Sequence, residues 1–375
     1  MKAYLRPILN PVRAYIDTQL ADWIFSLEKI YISKKSQRVS SSKKYHVGII
    51  GAGDMGIRQI DGLESSKKAK VVACADLNEQ KLNGIKKKYR DINFYTSHTK
   101  MLADEKLDLV SVATTAESHC NLSKCLAQSG IKNIIIEKPF CTNLMEGMKL
   151  ISFCNENGVS LTVNHGRRWS RTYQEIKHSI SCNEIGQIRQ IYFSWRKGGL
   201  ANLGTHFIDM IRYLTGGQVE WVCGRLSNDK LGTSRGIKFS DPGGVITIML
   251  KGGVRCYLDL SSDLQIAEKT FILQGSKGRI EIDENRSCWH LFTPPIKDGK
   301  LRKKSFSFNG SHDIGDLFKT AVEKSLSCKE TICSGEDGYK ACEVIIAAHK
   351  SNLEGNTPVT LPLSGNVLEK TWNFS

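Results

Sequence analysis

Tyr45-His46-Val47-Gly48-Ile49-Ile50-Gly51-Ala52-Gly53-Asp54-Met55-Gly56 is the stretch that decides the fold of this 375-residue chain. An apolar run leads into three glycines spaced GxGxxG, and an amphipathic segment follows. That spacing has a physical meaning only where a strand turns directly into a helix. Gly51 permits the tight turn, Gly53 lets a diphosphate approach the backbone, and Gly56 lets the helix pack closely on the strand. Beside those glycines, Ala52, Asp54 and Met55 complete a helix N-terminus whose free amides face the anion. Asp76 stands at the end of the next apolar run. A carboxylate there accepts hydrogen bonds from a ribose diol and repels a 2′-phosphate. The cofactor expected is therefore NAD, with NADP disfavoured, although the nearby Lys81 weakens the discrimination. Capping of the helix that begins near Asn78 is the other role open to Asp76.

Outward from this motif, short apolar runs alternate with amphipathic segments, the pattern of a parallel sheet with crossover helices. Strands are expected at 46–50, 70–75, 109–113, 133–136 and 159–163, and helices at 55–63, 78–89, 117–128 and 144–155. Gly130 and Gly158 are placed to end two of those helices. Beyond residue 164 helices are expected at 173–181 and 203–214. The runs 219–226, 244–250, 254–260 and 270–274 then carry the β-branched content of a mostly antiparallel sheet. Late helices at 314–325 and 336–352 pack against the body. The organisation expected is an N-terminal extension, 1–44, an α/β Rossmann dinucleotide-binding domain, 45–163, and an α+β substrate and oligomerisation domain, 164–375.

Within the extension, Val12, Ile16, Leu20, Trp23, Ile24, Leu27 and Tyr31 recur at helical spacing and form one apolar stripe over 11–32. Docking on the protein's own body or a sister subunit is the first reading, and shallow attachment at a membrane surface the second. Residues 33–44, rich in serine and lysine, read as a linker.

The net charge is +15, and about six of those charges belong to the first 44 residues. The basic residues are dispersed and no nucleic-acid-binding signature accompanies them, so no nucleic-acid partner is expected and anionic small molecules are favoured. The twelve cysteines are scattered without a CxxC pair or zinc spacing, and read as reduced, mostly buried thiols with no metal. No run is long and apolar enough to cross a bilayer, and no continuous signal-peptide core opens the chain, which sets a cytoplasmic expectation.

Four landmarks carry a resemblance. They are the glycine motif; Val110-Ser111-Val112-Ala113-Thr114-Thr115 with His119; Glu137-Lys138-Pro139; and Gly204-Thr205-His206 followed by Asp209. From about residue 45 to 362 the chain resembles the family of glucose-fructose oxidoreductase, inositol dehydrogenase and the rhizopine-catabolism protein. The resemblance implies that Lys138 lies near the nicotinamide and substrate, with Thr114, His119 and Glu137 on the cofactor side. The residues agree in part, because a lysine directly after the strand 133–136 sits at the carboxyl edge of a parallel sheet, where ligands bind. A solvated surface lysine is the alternative, opposed by the burial that Ile134 to Ile136 imply. The family typically places an aspartate four residues before the histidine, and here Asn202 precedes His206. Asparagine can orient a substrate hydroxyl or the imidazole but cannot exchange a proton. Lys138 and His206 are therefore expected to share the acid/base work.

That departure puts an inositol-type dehydrogenase in doubt, while some relatives acting on nucleotide-linked sugars resemble this chain in carrying asparagine there. For the substrate, Arg168 is expected to pair with a phosphate or carboxylate, and Tyr173 or Trp195 to stack on a sugar ring. Arg167 and Arg171 read as solvated charges, and Trp195 equally as core. The activity implied is hydride transfer to or from a secondary alcohol or ketone of a sugar-like, in the finer reading nucleotide-linked, substrate. An NAD-using glycoside hydrolase and a cofactor-binding protein with reduced catalysis are the alternatives. By analogy with relatives, the chain is expected to form a homo-oligomer.

Overall fold

Val47, Ile49, Val110, Val112, Ile135 and Ile136 are fully buried, because the strands that carry them are covered on both faces and so read as continuous apolar runs. The computed structural model describes residues 44–195, 198–227, 232–233, 236–261, 269–294, 302–328 and 331–374. The stripe expected over 11–32 lies outside them, and with it the question of membrane contact.

Six parallel strands form the first sheet: β1 (Tyr45–Ile50), β2 (Ala69–Ala75), β3 (Asn93–Tyr95), β4 (Leu109–Val112), β5 (Asn133–Ile136) and β6 (Ser160–Val163). Their order is β3-β2-β1-β4-β5-β6. The direction of winding reverses between β1 and β4, which opens a crevice at the carboxyl ends of the strands. Crossovers run through α1 (Asp54–Glu64), α2 (Glu79–Lys86), α3 (His98–Asp104), α4 (Ala116–Gln128) and α5 (Leu144–Glu156). Asn78, Ser97 and Asn143 cap α2, α3 and α5 with side-chain oxygens. Gly130 and Gly158 adopt positive φ beyond the helix ends, as expected. β3 and α3 were not anticipated, since β3 is three residues long and only half-buried.

After α6 (Arg171–Ser181), β7 (Ile188–Ser194) and α7 (Thr205–Thr215), the chain adds β8 (Val219–Leu226) and the small pair β9 (Gly232–Thr233) and β10 (Gly236–Ser240). The larger sheet continues with β11 (Gly244–Leu250), β12 (Val254–Asp259), β13 (Thr270–Gly275), β14 (Arg279–Asp283), β15 (Cys288–Thr293), β16 (Arg302–Ser307) and β17 (Val359–Thr360). Its nine strands run β16-β15-β14-β13-β7-β12-β11-β8-β17, antiparallel except where β7 meets β12. In β11, Ile246, Ile248 and Leu250 are buried while Val245 is 46% exposed, the alternation of a sheet covered on one face.

Two late helices pack on this body, and the second of them ties the sheets together. α8 (Ile314–Ser325) packs on α1, where Gly62 and Gly315 meet so closely that a Cβ on Gly62 would lie 2.2 Å from the Gly315 carbonyl oxygen. α9 (Gly335–Leu353) touches α5 and β6 on one side and α7 and β8 on the other. The tail beyond β17 returns to the body, with Trp372 and Phe374 buried. The Trp372 amide donates to the Thr142 carbonyl at 2.9 Å and the Ser240 amide to that of Asn373 at 2.7 Å.

Candidate active site

Gly51 turns the chain from β1 into α1 at φ +107°, and a Cβ there would lie 2.6 Å from the Ala113 carbonyl oxygen. A Cβ on Gly56 would come within 1.8 Å of the Gly51 carbonyl oxygen, so the helix can lie on the loop only without one. At Gly53 the same construction meets nothing within 4 Å. The loop is thus packed beneath and open above, with Ala52 buried, Met55 half-buried and Asp54 exposed in the first turn of α1. No side chain among the described residues caps that helix, so its first amides suit an anion. Asp76 braces the loop: Oδ2 accepts from the Ala52 amide and Oδ1 from the Asn78 amide, both at 2.8 Å. The cap of α2 is Asn78 itself, accepting from the Lys81 amide. A carboxylate has about four acceptor positions, so capacity for a ribose diol remains on Asp76. This loop fits a dinucleotide.

Thr114, half-buried at the end of β4, shares a hydrogen bond with Ser118 at 2.7 Å. His119 is fully buried, its ring set between the Pro139 carbonyl at 2.9 Å and the Thr114 carbonyl at 3.1 Å. It braces the β4 loop against the cis Lys138–Pro139 bond and, at zero exposure, is corrected from a cofactor contact to a strut. Glu137 is corrected likewise. Its carboxylate, 2% exposed, accepts from Gln59 Nε2 at 2.8 Å and Asn164 Nδ2 at 2.7 Å. Ser111 donates onward to Gln59 Oε1. These bonds lock the carboxyl ends of β4, β5 and β6 to α1.

Lys138 follows β5 at the crevice and is 7% exposed, which removes the surface-lysine alternative. Its Nζ donates to Asn202 twice, to the carbonyl oxygen at 2.8 Å and to Oδ1 at 2.7 Å. Asn202 belongs to a π-helical turn, Leu200–Gly204, that leads into α7. The amides of Ala201 and Asn202 donate to Asp241 Oδ1 and Oδ2 at 2.7 and 2.8 Å. His206 lies in the first turn of α7, half-buried, with Nδ1 buried and without a hydrogen-bond partner among the described residues. Burial, and then the charges of Lys138 and Arg167 and the neighbouring His165, push its pKa well below the ordinary imidazole value. A second imidazole, His165, stands edge-on at 5.8 Å. It is 1% exposed, and neither ring nitrogen has a partner among the described residues. Burial above all holds its pKa down to about 4, with Arg168 and Lys138 adding and Asp209 and Asp337 opposing. Both imidazoles are therefore neutral at neutral pH.

Sequence reasoning missed His165 and Asp241. His165 had a signal, since it follows β6 at the same sheet edge as Lys138. Asp241 had none, because it meets its partners about forty positions away in the chain.

Two expected substrate contacts are corrected. Arg168 is 4% exposed; its Nε and Nη2 bind Asp209, and Nη1 binds Asp337 at 3.0 Å and the Ile332 carbonyl. Tyr173 is fully buried and its hydroxyl donates to Glu284 at 2.5 Å. Arg167 is no solvated charge either, because it pairs with Glu284 at 2.6 Å and stacks over Phe207 at 4.6 Å. Burial alone would raise the Glu284 carboxyl, yet Arg167, Tyr173 and Lys269 bring it down to about 2. Arg171 is solvated as expected. Trp195 packs partly on the core with Lys269 over its ring at 4.1 Å.

Comparison with known proteins agrees with this geometry. Residues 45–165 match the oxidoreductase family with an NAD-binding Rossmann fold, and residues 173–281 match the GFO/IDH/MocA C-terminal domain. A myo-inositol 2-dehydrogenase from Thermotoga maritima is 25% identical over 323 residues, covering 81% of this chain and 95% of that protein. A D-apiose dehydrogenase from Rhizobium rhizogenes is 24% identical over 340 residues, covering 82% and 95%. Among solved structures, a levoglucosan dehydrogenase in complex with NADH and levoglucosan shares the fold at TM-score 0.76 and 18% identity, over 86% of this chain and 100% of that one. The WlbA dehydrogenase from Bordetella pertussis, in complex with NADH and UDP-GlcNAcA, does so at TM-score 0.69 and 20% identity, again over 86% and 100%. With an open glycine loop, a buried lysine at the sheet edge and both domain types matched in order, the chain belongs to the Gfo/Idh/MocA family of NAD-binding oxidoreductases.

Proposed function

We propose that the protein interconverts a secondary alcohol and a ketone on a sugar-like small molecule, with Lys138 and His206 handling the proton. The observation that carries this reading is the double hydrogen bond from Lys138 Nζ to Asn202, four residues before His206, at the crevice end of β5. The curated relatives named above act on myo-inositol and D-apiose, which are polyhydroxylated substrates of the class proposed. A nucleotide-linked sugar is our finer reading, supported by asparagine at 202 and by the UDP-GlcNAcA held by the WlbA dehydrogenase.

Gly51 to Gly56 would hold the diphosphate and Asp76 the adenosine ribose. When bound, the nicotinamide supplies the acceptor or donor of hydride. The chain's own groups do the rest. His206, kept neutral by burial and by Lys138, is free to accept a hydroxyl proton, and Lys138 donates to the oxygen as negative charge develops on it. The two cannot both carry charge cheaply in a buried site, so His206, which is half-buried, releases the proton to water. Asn202 orients Lys138 without exchanging protons.

Steady-state turnover of NAD over a panel of polyols, free sugars and UDP-sugars tests the reading. A member of the panel is expected to reduce NAD, and Lys138→Ala and His206→Ala each to lower that rate by about 10²- to 10⁴-fold. Unchanged turnover in both variants would defeat the assignment.

A further inference from the structure

Asp241, on the loop between β10 and β11, is 3% exposed. A carboxylate is retained at such depth only where hydrogen bonds replace its water. Here they come from the amides of Ala201 and Asn202, in the first turn of the helical segment that leads to His206. Helix starts leave such amides without internal partners and carry positive potential, so one carboxylate answers both needs. The fit is close, because a Cβ on Gly199 would lie 1.9 Å from Asp241 Oδ2. Both neighbours of Asp241 are anchored too: the Ser240 amide donates to the Asn373 carbonyl, and the Pro242 carbonyl accepts from the Leu200 amide at 3.0 Å. Asn202, fixed through its amide, turns its carbonyl oxygen and Oδ1 onto Lys138 Nζ.

We propose that Asp241 is a positioning residue of this site, acting through Asn202 to hold Lys138 Nζ where the reacting oxygen docks. The proposal rests on the reading of Lys138 given above. Asp241 itself touches neither substrate nor cofactor in this role. An amide is no substitute for it, since Asp241→Asn would set an NH2 donor against a backbone N–H donor and leave one amide of the turn unpaired. A displacement of Lys138 by about 1 Å is enough to cost about a hundredfold in rate.

The test is a double-mutant cycle between Asp241→Asn and Lys138→Ala, read as kcat with the best substrate of the panel and as the Kd for NAD. Asp241→Asn is expected to lower kcat about a hundredfold with the NAD Kd unchanged. In the Lys138→Ala background the same substitution should change the residual rate by less than about twofold, because its route is already cut. A general structural role would instead lower both backgrounds by the same factor, and that result overturns the proposal. So does an Asp241→Asn protein that binds NAD and turns over like the parent. If Asp241→Asn does not fold, Asp241→Glu enters the same cycle with the same expectations. Unchanged turnover in Lys138→Ala would overturn the role of Lys138 and this proposal with it; loss in Lys138→Ala with equal Asp241 factors overturns this proposal alone.

Discussion

Asp76 and His206 show what a single side chain decides here. The Asp76 carboxylate holds the Ala52 and Asn78 amides at 2.8 Å, so Asp76→Ala loosens the loop as well as removing an acceptor for the ribose. Hydrogen bonds to a charged group are worth about 1.5–3 kcal/mol each. Calorimetry should therefore find NAD affinity lowered at least about tenfold. His206→Asn should lower kcat by about 10²- to 10⁴-fold, the range for a positioned acid or base, with NAD affinity close to that of the parent. Steady-state kinetics beside a binding measurement separates the two. At this scale the sequence was legible where a residue's place hangs on local context. Lys138 follows a buried strand, and Gly51 to Gly56 join a strand to a helix. Arg168 and Tyr173 were misread because their partners, Asp209, Asp337 and Glu284, lie 41, 169 and 111 positions away. An arginine beside a sheet edge looks the same in sequence whether it meets a ligand or a buried aspartate.

The element that presents His206 is α7, and a buried ion pair fixes it. Arg168 grips Asp209, which is fully buried on that helix, and reaches Asp337 in the first turn of α9. Arg212, one turn along α7, reaches Asp337 as well. Removing one partner of such a pair strands a charge and costs about 3–5 kcal/mol. Denaturant unfolding of Asp209→Leu should show a loss of that size, and turnover should fall with it, since the same helix aims His206. Most elements were legible from period, because β5, α8 and β8 each have the bounds their patterns imply. The start of α7 was not. A helix was expected from residue 203, whereas a π-turn held by Asp241 precedes it. The bond that shapes that turn comes from a distant loop, which periodicity does not encode.

Across the whole molecule, buried imidazoles should make stability depend on pH. The pKa values of His165 and His349 are held down to about 4, chiefly by burial, with Lys370 adding at His349. Unfolded, both would titrate near pH 6.5. Between about 6.5 and 4 the unfolded chain binds more protons than the folded one, so stability is full above that window and declines as pH falls through it. Each histidine contributes a slope of at most about 1.4 kcal/mol per pH unit. Thermal unfolding followed from pH 7 to 4 should show Tm falling, and His349→Phe should flatten the fall.

At this scale the Rossmann-type sheet was legible from its continuous apolar runs, and the second sheet from its β-branched strands. The tail that returns Trp372 and Phe374 to the body was not legible, since two aromatics in a short irregular segment carry no period.

The central claim is that the glycine loop and Lys138 serve one reaction, and single-turnover formation of NADH by Lys138→Met at saturating NAD and the best alcohol substrate of the panel tests it most directly. Methionine keeps the buried stem and removes the donor, so NAD should bind with the parent's affinity while NADH forms at least about a hundredfold more slowly. NADH formation at the parent's rate would contradict the account.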